Sequence, residues 1–272
     1  MPLLHVIVLA AVQGITEFLP VSSSAHLALA PWLLGWPDQG LAFDIALHVG
    51  TLAAVSIYFF RDLLQVVARG LGFRAGNDDQ LSRNPRLLWL LIAGTIPAVV
   101  AGVLVKPLAE TTFRSPYVSG TMLIAVSFVM LAADRMGRKS KNIGQTGVAD
   151  ALWIGLAQAV ALVPGTSRSG ITLAAGLFRG LDRPAAARFS FLLSAPAVAG
   201  AAAKSALDLY KSGGIPAGMH TPFFTGIAVS AFTGCLVIAL LMRFLRTHSL
   251  LVFVSYRLIF GIIVVALAIY RA

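Results

Sequence analysis

Six stretches of about 20 predominantly apolar residues, each long enough to cross a hydrocarbon core, constrain this chain more than any other feature. They cover 42–60, 87–105, 118–133, 185–203, 223–242 and 250–270. The chain is 58% hydrophobic and only 12% charged, against about 25% charged for a soluble domain. Its mean hydropathy is +0.84. A water-soluble fold cannot hide that much apolar surface, so the six stretches read as transmembrane helices.

The net charge of +10 would point to nucleic acid in a soluble protein. Here the cations gather in four short loops. Arg61, Arg69, Arg74, Arg83 and Arg86 share one, and Arg135, Arg138, Lys139 and Lys141 another. Arg179, Arg183 and Arg188 form a third, Arg243 and Arg246 a fourth, whereas 106–114 and 204–211 hold few cations. The four loops collect 14 of the 21 lysines and arginines, so the charge reads as topology, with no nucleic-acid partner and these loops cytoplasmic. The termini then face outward. Trp32, Trp36, Trp89 and Trp153 lie near segment ends, where interfacial belts place them. Cys235 is the single cysteine, which excludes an internal disulfide and a cysteine metal site. Ala28, Leu29 and Ala30 resemble a leader cleavage site, but no basic region precedes them, so the segment reads as mature protein.

Two further apolar segments, 3–34 and 151–178, are interrupted, the first at Pro20 to Ser24 and the second at Pro164 to Gly170. Non-helical backbone at membrane depth is tolerated only inside protein or along a wet cavity, and matching interruptions in two halves point to a binding site. The halves align weakly. Pro20 and Ser23 pair with Pro164 and Ser167 at an offset of 144, while Phe43, Leu47 and Ala53 pair with Phe189, Leu193 and Ala199 at 146. The predicted fold is therefore an all-α integral membrane protein, a polytopic helical bundle forming a single membrane domain over 1–272. It has two inverted-topology repeats, about 1–134 and 150–272, each one re-entrant broken hairpin plus three transmembrane helices. The hairpins enter from opposite faces and their tips meet near the midplane, with the first opening outward.

The breaks carry the chemistry. Gln13 and Glu17, four apart, share a helix face, and Pro20 ends that helix by disfavouring α geometry at Leu19. Ser22, Ser23 and Ser24 follow, with Ser22 placed to cap the next half-helix, whose free amides face an anion. His26 lies on its first turn. The second break sets Thr166, Ser167 and Ser169 around Arg168, the residue suited to bidentate phosphate contact. Serine in a membrane helix commonly serves as interhelical glue, but Glu17 and Arg168 are ionisable groups at membrane depth and read as functional, or as a structural ion pair. Asp44 and His48 line a wet cavity or bond each other. Arg257, in the last apolar stretch, neutralises an internal partner or touches the ligand.

The run from Gln13 through Glu17, Pro20 and Ser22–Ser24 to His26, and the run Pro164, Gly165, Thr166, Ser167, Arg168, Ser169, Gly170, resemble the two signature motifs of the undecaprenyl pyrophosphate phosphatases, the bacitracin-resistance family. The likeness spans essentially the whole chain, including 43–51 and 190–196. It implies a multi-pass enzyme of the bacterial cell (inner) membrane, its site opening to the outer, periplasmic side. Such an enzyme converts undecaprenyl diphosphate to the monophosphate, recycles the carrier lipid for cell-wall synthesis and confers bacitracin resistance. The resemblance also implies a divalent cation, magnesium or calcium. By position it places the essential acidic residue and metal ligand at Glu17, the active-site serine at Ser23, the histidine at His26 and the arginine at Arg168. Many members carry a second glutamate where this chain has Gln13, so a metal site of two carboxylates does not transfer.

Diphosphate chemistry fits these residues, since positioning and charge neutralisation carry most of phosphoryl transfer. Ser22, Ser24, Thr166, Ser167, Ser169 and Arg168 are the expected diphosphate-binding groups, with Glu17 and Gln13 the candidate cation ligands. Ser23 and His26 both remain open as the nucleophile. The rival reading is a secondary transporter or polyprenyl-phosphate flippase, because inverted repeats with broken helices are a transporter design. A transporter needs no reactive group beside its anion site, which favours the enzyme. The partners are the polyprenyl diphosphate substrate and membrane lipid. Small-residue stretches such as 197–203 also permit close helix contact, within one chain or in a homodimer.

Overall fold

The computed structural model describes residues 2–37, 41–110, 115–211 and 213–271, with every side chain among them except those of 31, 32, 41 and 105–110. Arg114 and the side chains of Trp32 and Lys106 lie outside the described residues. Twelve α-helices and no strand form among the described residues: α1 (Leu3–Phe18), α2 (Ser23–Leu34), α3 (Leu41–Tyr58), α4 (Phe60–Gly70), α5 (Asp79–Ser82), α6 (Leu87–Glu110), α7 (Pro116–Met136), α8 (Val148–Val160), α9 (Arg168–Phe178), α10 (Arg183–Lys211), α11 (His220–Phe244) and α12 (Leu251–Tyr270).

Five of these, α6, α7, α10, α11 and α12, are long and apolar enough to cross a membrane. The sixth expected stretch, 42–60, departs from the sequence reading. Its helix stops at Tyr58, and only α3 continued into α4 meets the same measure, with a bend of 74° between them. Both interruptions overlap the expected ones, but Ser23–Ser24 and Arg168–Gly170 already lie in helix and the second break starts earlier than expected, at Ala161. Leu19, ahead of Pro20, takes extended geometry with ψ 142°, and this ends α1. The second break runs from Ala161 to Ser167 and contains Gly165 at φ +90°, where a Cβ would stand 2.2 Å from the Ser119 carbonyl oxygen. Only glycine fits that crossing.

Helix α11 packs along α3 and α1, α8 along α6, and α12 along α7, while α3 and α10 pack on each other. Small residues make the close crossings. A Cβ on Gly155 would lie 2.2 Å from Gly94 O, and one on Gly50 would lie 1.8 Å from Ser230 Oγ.

The four basic loops converge at one end of the bundle. Asp134 accepts from Arg183 Nε (2.6 Å) and from the Leu250 amide (3.1 Å), joining three loops. Arg188 bonds Asp62 (2.7 Å) and Asp78 (3.0 Å), joining the third loop to the first. Asp150 takes Arg179 at 2.7 Å and Lys141 at 3.3 Å. Several of the cations counted as topology signals are thus also structural partners of buried aspartates. A cavity of about 780 Å³ at this end is lined by Asp62, Asp78, Asp182, Arg188 and Arg246.

Candidate active site

The two breaks meet side by side. Ser169 Oγ donates to the Leu19 carbonyl (3.1 Å), and the wholly buried Arg257 of α12 ties both turns together. Its Nη1 donates to Pro20 O (3.2 Å), its Nη2 to Gly165 O (3.0 Å) and Thr166 O (3.1 Å), and its Nε to Ser127 Oγ (3.2 Å). Backbone carbonyls and a hydroxyl take its donors, and among the described residues no carboxylate pairs with it, so the internal partner that the sequence offered as one alternative is a set of carbonyls rather than an anion. Arg257 is a clamp on the breaks. It supplies donors to carbonyls that the interrupted helices leave without partners.

Around this clamp, Glu17 gathers side chains from both breaks. Arg168 Nη2 lies 2.7 Å from Oε1, Ser23 Oγ donates to Oε2 at 2.6 Å, and Gln13 Nε2 donates to Oε2 at 3.2 Å. The Ser23 bond has the length of a charge-assisted O–H···O⁻ contact. The other guanidinium nitrogen, Arg168 Nη1, is buried without a protein partner, as is Gln13 Oε1. A crevice too tight to hold a water adjoins the pair, bordered by Thr51, Leu52, Val55 and Ser194. Glu17, Ser23, Arg168 and Gln13 thus form one cluster.

The remaining hydroxyls divide by task. Ser167 caps α9 by accepting the Gly170 amide (3.2 Å), and its Oγ stands 3.2 Å from Ser169 Oγ. Ser22 sits at the matching position ahead of α2, but its Oγ faces Ser24 Oγ at 3.2 Å, with no amide bonded as the expected cap would have it. Thr166 Oγ1 donates to Val160 O. Ser24 is exposed, whereas Ser22, Thr166, Ser167 and Ser169 are buried. Ser22 and Ser167 both hold positive φ, 78° and 69°. Non-glycine residues adopt that region at a cost of order 1–3 kcal/mol, and such strain gathers at functional turns.

His26 stands apart from the Glu17 cluster. Its Nδ1 lies 2.7 Å from the Ser22 carbonyl, so that nitrogen carries the proton, and its Nε2 lies 2.6 Å from the Tyr256 hydroxyl. Phe260 stacks on the imidazole at 4.6 Å. Sequence reasoning missed Tyr256, whose partner is 230 positions away. His48 Nδ1 bonds the Asp44 backbone carbonyl at 2.8 Å.

Among the described residues no three His, Cys, Asp or Glu side chains cluster as a ready metal cage. Glu17 is the one carboxylate of the cluster, and Arg168 occupies its Oε1. The unpartnered Gln13 Oε1 supplies a second oxygen. Such a set fits a cation that brings further oxygens with it, as magnesium commonly does on substrate phosphates.

Fold and site together define a polytopic helical membrane protein with a buried cluster of polar and charged side chains where two broken helices meet inside the bundle. The chain belongs to the bacitracin resistance protein BacA family, whose model matches residues 6–263. It is 48% identical over 263 residues to an undecaprenyl-diphosphatase of Geobacter sulfurreducens, with 96% of each chain covered. It is 45% identical over 267 residues to the enzyme of that name from Moorella thermoacetica (98% of each chain), and 46% over 269 residues to that of Thermomicrobium roseum (94% of each chain).

Proposed function

We propose that this membrane protein hydrolyses undecaprenyl diphosphate to undecaprenyl phosphate and inorganic phosphate, recycling the carrier lipid for cell-wall synthesis and conferring bacitracin resistance. Family membership and the relatives' activity carry the substrate. One geometric observation carries the chemistry: Glu17 holds the Ser23 hydroxyl on one oxygen and Arg168 on the other.

From that arrangement the reaction follows in two displacements. Arg168 Nη1 donates to the terminal phosphoryl group. Ser23 Oγ attacks its phosphorus as the hydroxyl proton passes to Glu17, the anhydride P–O bond breaks, and undecaprenyl phosphate leaves a phosphoserine behind. Water then attacks that phosphorus, His26 Nε2 takes the water proton once Tyr256 has released it, and phosphate departs as Ser23 regains its proton from Glu17. A divalent cation, magnesium or calcium, would be held by Glu17 and Gln13 Oε1 together with substrate oxygens, and it would neutralise diphosphate charge. The polyprenyl tail needs only apolar surface, each buried methylene contributing about 0.8 kcal/mol.

Two inverted repeats give this site its access. Exchanging the halves maps α1 on α11 to α8 on α6, and it maps the α3–α10 and α7–α12 pairs onto themselves, which supports the symmetry. Shared backbone geometry at Ser22 and Ser167 supports an offset of 145 at the breaks. The Tyr58 end of α3 stands with the basic loops, so its Leu41 end points the other way and the first hairpin opens there. By the positive-inside rule that end is outer, in the bacterial inner membrane.

The test is phosphate release from undecaprenyl diphosphate by detergent-solubilised protein, where no sidedness exists for a transporter to use. Release lost in Ser23→Ala, with phosphoserine trapped at position 23 in His26→Ala, is the expected result. Phosphohistidine at position 26 would overturn the order of steps, and absence of release from intact protein would overturn the activity.

A further inference from the structure

Helix α4 turns its apolar face away from the protein. Phe60, Leu64, Val67 and Leu71, at i, i+4, i+7 and i+11, form one stripe, and they are 58%, 55%, 42% and 58% exposed. The opposite face is polar and is packed against the chain. Gln65 donates to Asp78 O (2.8 Å) and Ser82 Oγ (3.1 Å), Arg69 Nε to Ala75 O (3.1 Å), and Asp62 holds Arg188. In water this orientation would expose the wrong side of an amphipathic helix.

The helix departs from α3 by 74°, so if α3 runs along the bilayer normal α4 lies close to the membrane plane. Phe73, 67% exposed, extends the stripe. Trp89, at the start of α6, donates from Nε1 to Gly70 O (3.0 Å), pinning the end of α4 to a residue type that favours the headgroup level. Exposed Arg61 flanks the stripe, and exposed Arg74, Arg83 and Arg86 stand on the adjoining loop. No side-chain hydrogen bond or ion pair engages these four guanidinium groups among the described residues.

We propose that α4 is an in-plane interfacial helix, its stripe buried at the headgroup–acyl boundary and its flanking arginines bound to anionic lipid headgroups. Apolar area on one side and unpaired guanidinium groups beside it are the two terms by which such helices hold a charged membrane surface. Neither term depends on the phosphatase reading, and the catalytic residues lie elsewhere.

The test places an environment-sensitive fluorophore on Leu64→Cys in a Cys235→Ser background, in phosphatidylcholine nanodiscs with and without phosphatidylglycerol. Blue-shifted emission, quenched by brominated acyl chains and insensitive to aqueous iodide, is expected at any protein-to-lipid ratio. Phosphatidylglycerol should raise the melting midpoint of the unlabelled protein by at least about 3 °C, and Arg61→Gln/Arg74→Gln/Arg83→Gln/Arg86→Gln should lose that rise while keeping turnover. Iodide quenching would overturn the buried stripe. Emission that shifts only in discs holding two chains, with cross-linking through position 64, would assign the face to a second copy. A midpoint rise that survives the four substitutions would overturn the headgroup contact.

Discussion

The Arg168 guanidinium lies 2.7 Å from the Glu17 carboxylate, so the cation of the second break neutralises the anion of the first. With Nη2 so engaged and Nη1 unpartnered, the arginine has one terminal nitrogen on the protein and one to spare.

Arg168→Lys therefore separates the two tasks. Lysine keeps Glu17 neutralised but lacks the planar fork, so it cannot also reach where Nη1 points. Turnover should fall at least about tenfold, about 1.4 kcal/mol of transition-state stabilisation, with little change in melting temperature. Near-normal turnover in a destabilised protein would reduce Arg168 to a pin between the breaks.

Arg257→Gln should behave in the opposite way. Carbonyls of Pro20, Gly165 and Thr166 lose a charged donor inside the bundle, and each such bond contributes roughly 1.5–3 kcal/mol. A stability loss of at least about 3 kcal/mol is expected by denaturant titration in detergent. Wild-type stability with lost turnover would instead place Arg257 on the substrate.

Composition made the membrane class legible, and proline chemistry located the end of α1, because Pro20 acts on its own neighbour Leu19. The Gln13–Glu17 contact was legible for the same reason, as a four-residue spacing on one helix. What depends on three-dimensional return was not. Ser22 and Ser167 both take positive φ, and the residue after each, Ser23 and Arg168, donates to Glu17, a convergence that no local spacing encodes. The bend after Tyr58 carries no proline, and Arg257 showed its charge but not its carbonyl partners.

Gln13→Glu replaces an amide donor, 3.2 Å from Glu17 Oε2, with a second carboxylate. The pair then repels unless a cation lies between, so the variant should be inactive in chelator and recover turnover at raised magnesium more steeply than the parent. Equal magnesium dependence in both proteins would exclude Gln13 from the cation site.

Asp78 offers a pH test outside the spanning helices. Burial pushes its carboxyl up, but the Leu81 amide and Arg188 guanidinium outweigh burial and hold it below its ordinary value of 3.8. A lowered carboxylate stabilises the fold above its unfolded pKa, and that contribution is lost as pH falls through the folded value. Asparagine caps a helix as well as aspartate does, so Asp78→Asn isolates the Arg188 pair. The stability gap, under about 1 kcal/mol for so exposed a pair, should be present at neutral pH and close below about pH 4. A gap unchanged at acid pH would mean that the pair contributes nothing.

Tyr256→Phe tests His26, which is held away from the Glu17 cluster. The hydroxyl lies 2.6 Å from His26 Nε2, the nitrogen left free by the bond of Nδ1 to Ser22, and it must release that nitrogen before a water can use it. Removing it leaves Phe260 and the Ser22 carbonyl to orient the ring, so turnover should change by less than about tenfold, whereas His26→Ala should lose at least about a hundredfold. Single-turnover measurements assign the effect to a step. If His26 serves the water attack, both substitutions leave the rate of undecaprenyl phosphate release intact and slow only the appearance of inorganic phosphate. Equal slowing of both products would move His26 to the first displacement, in place of Glu17 as the base for Ser23.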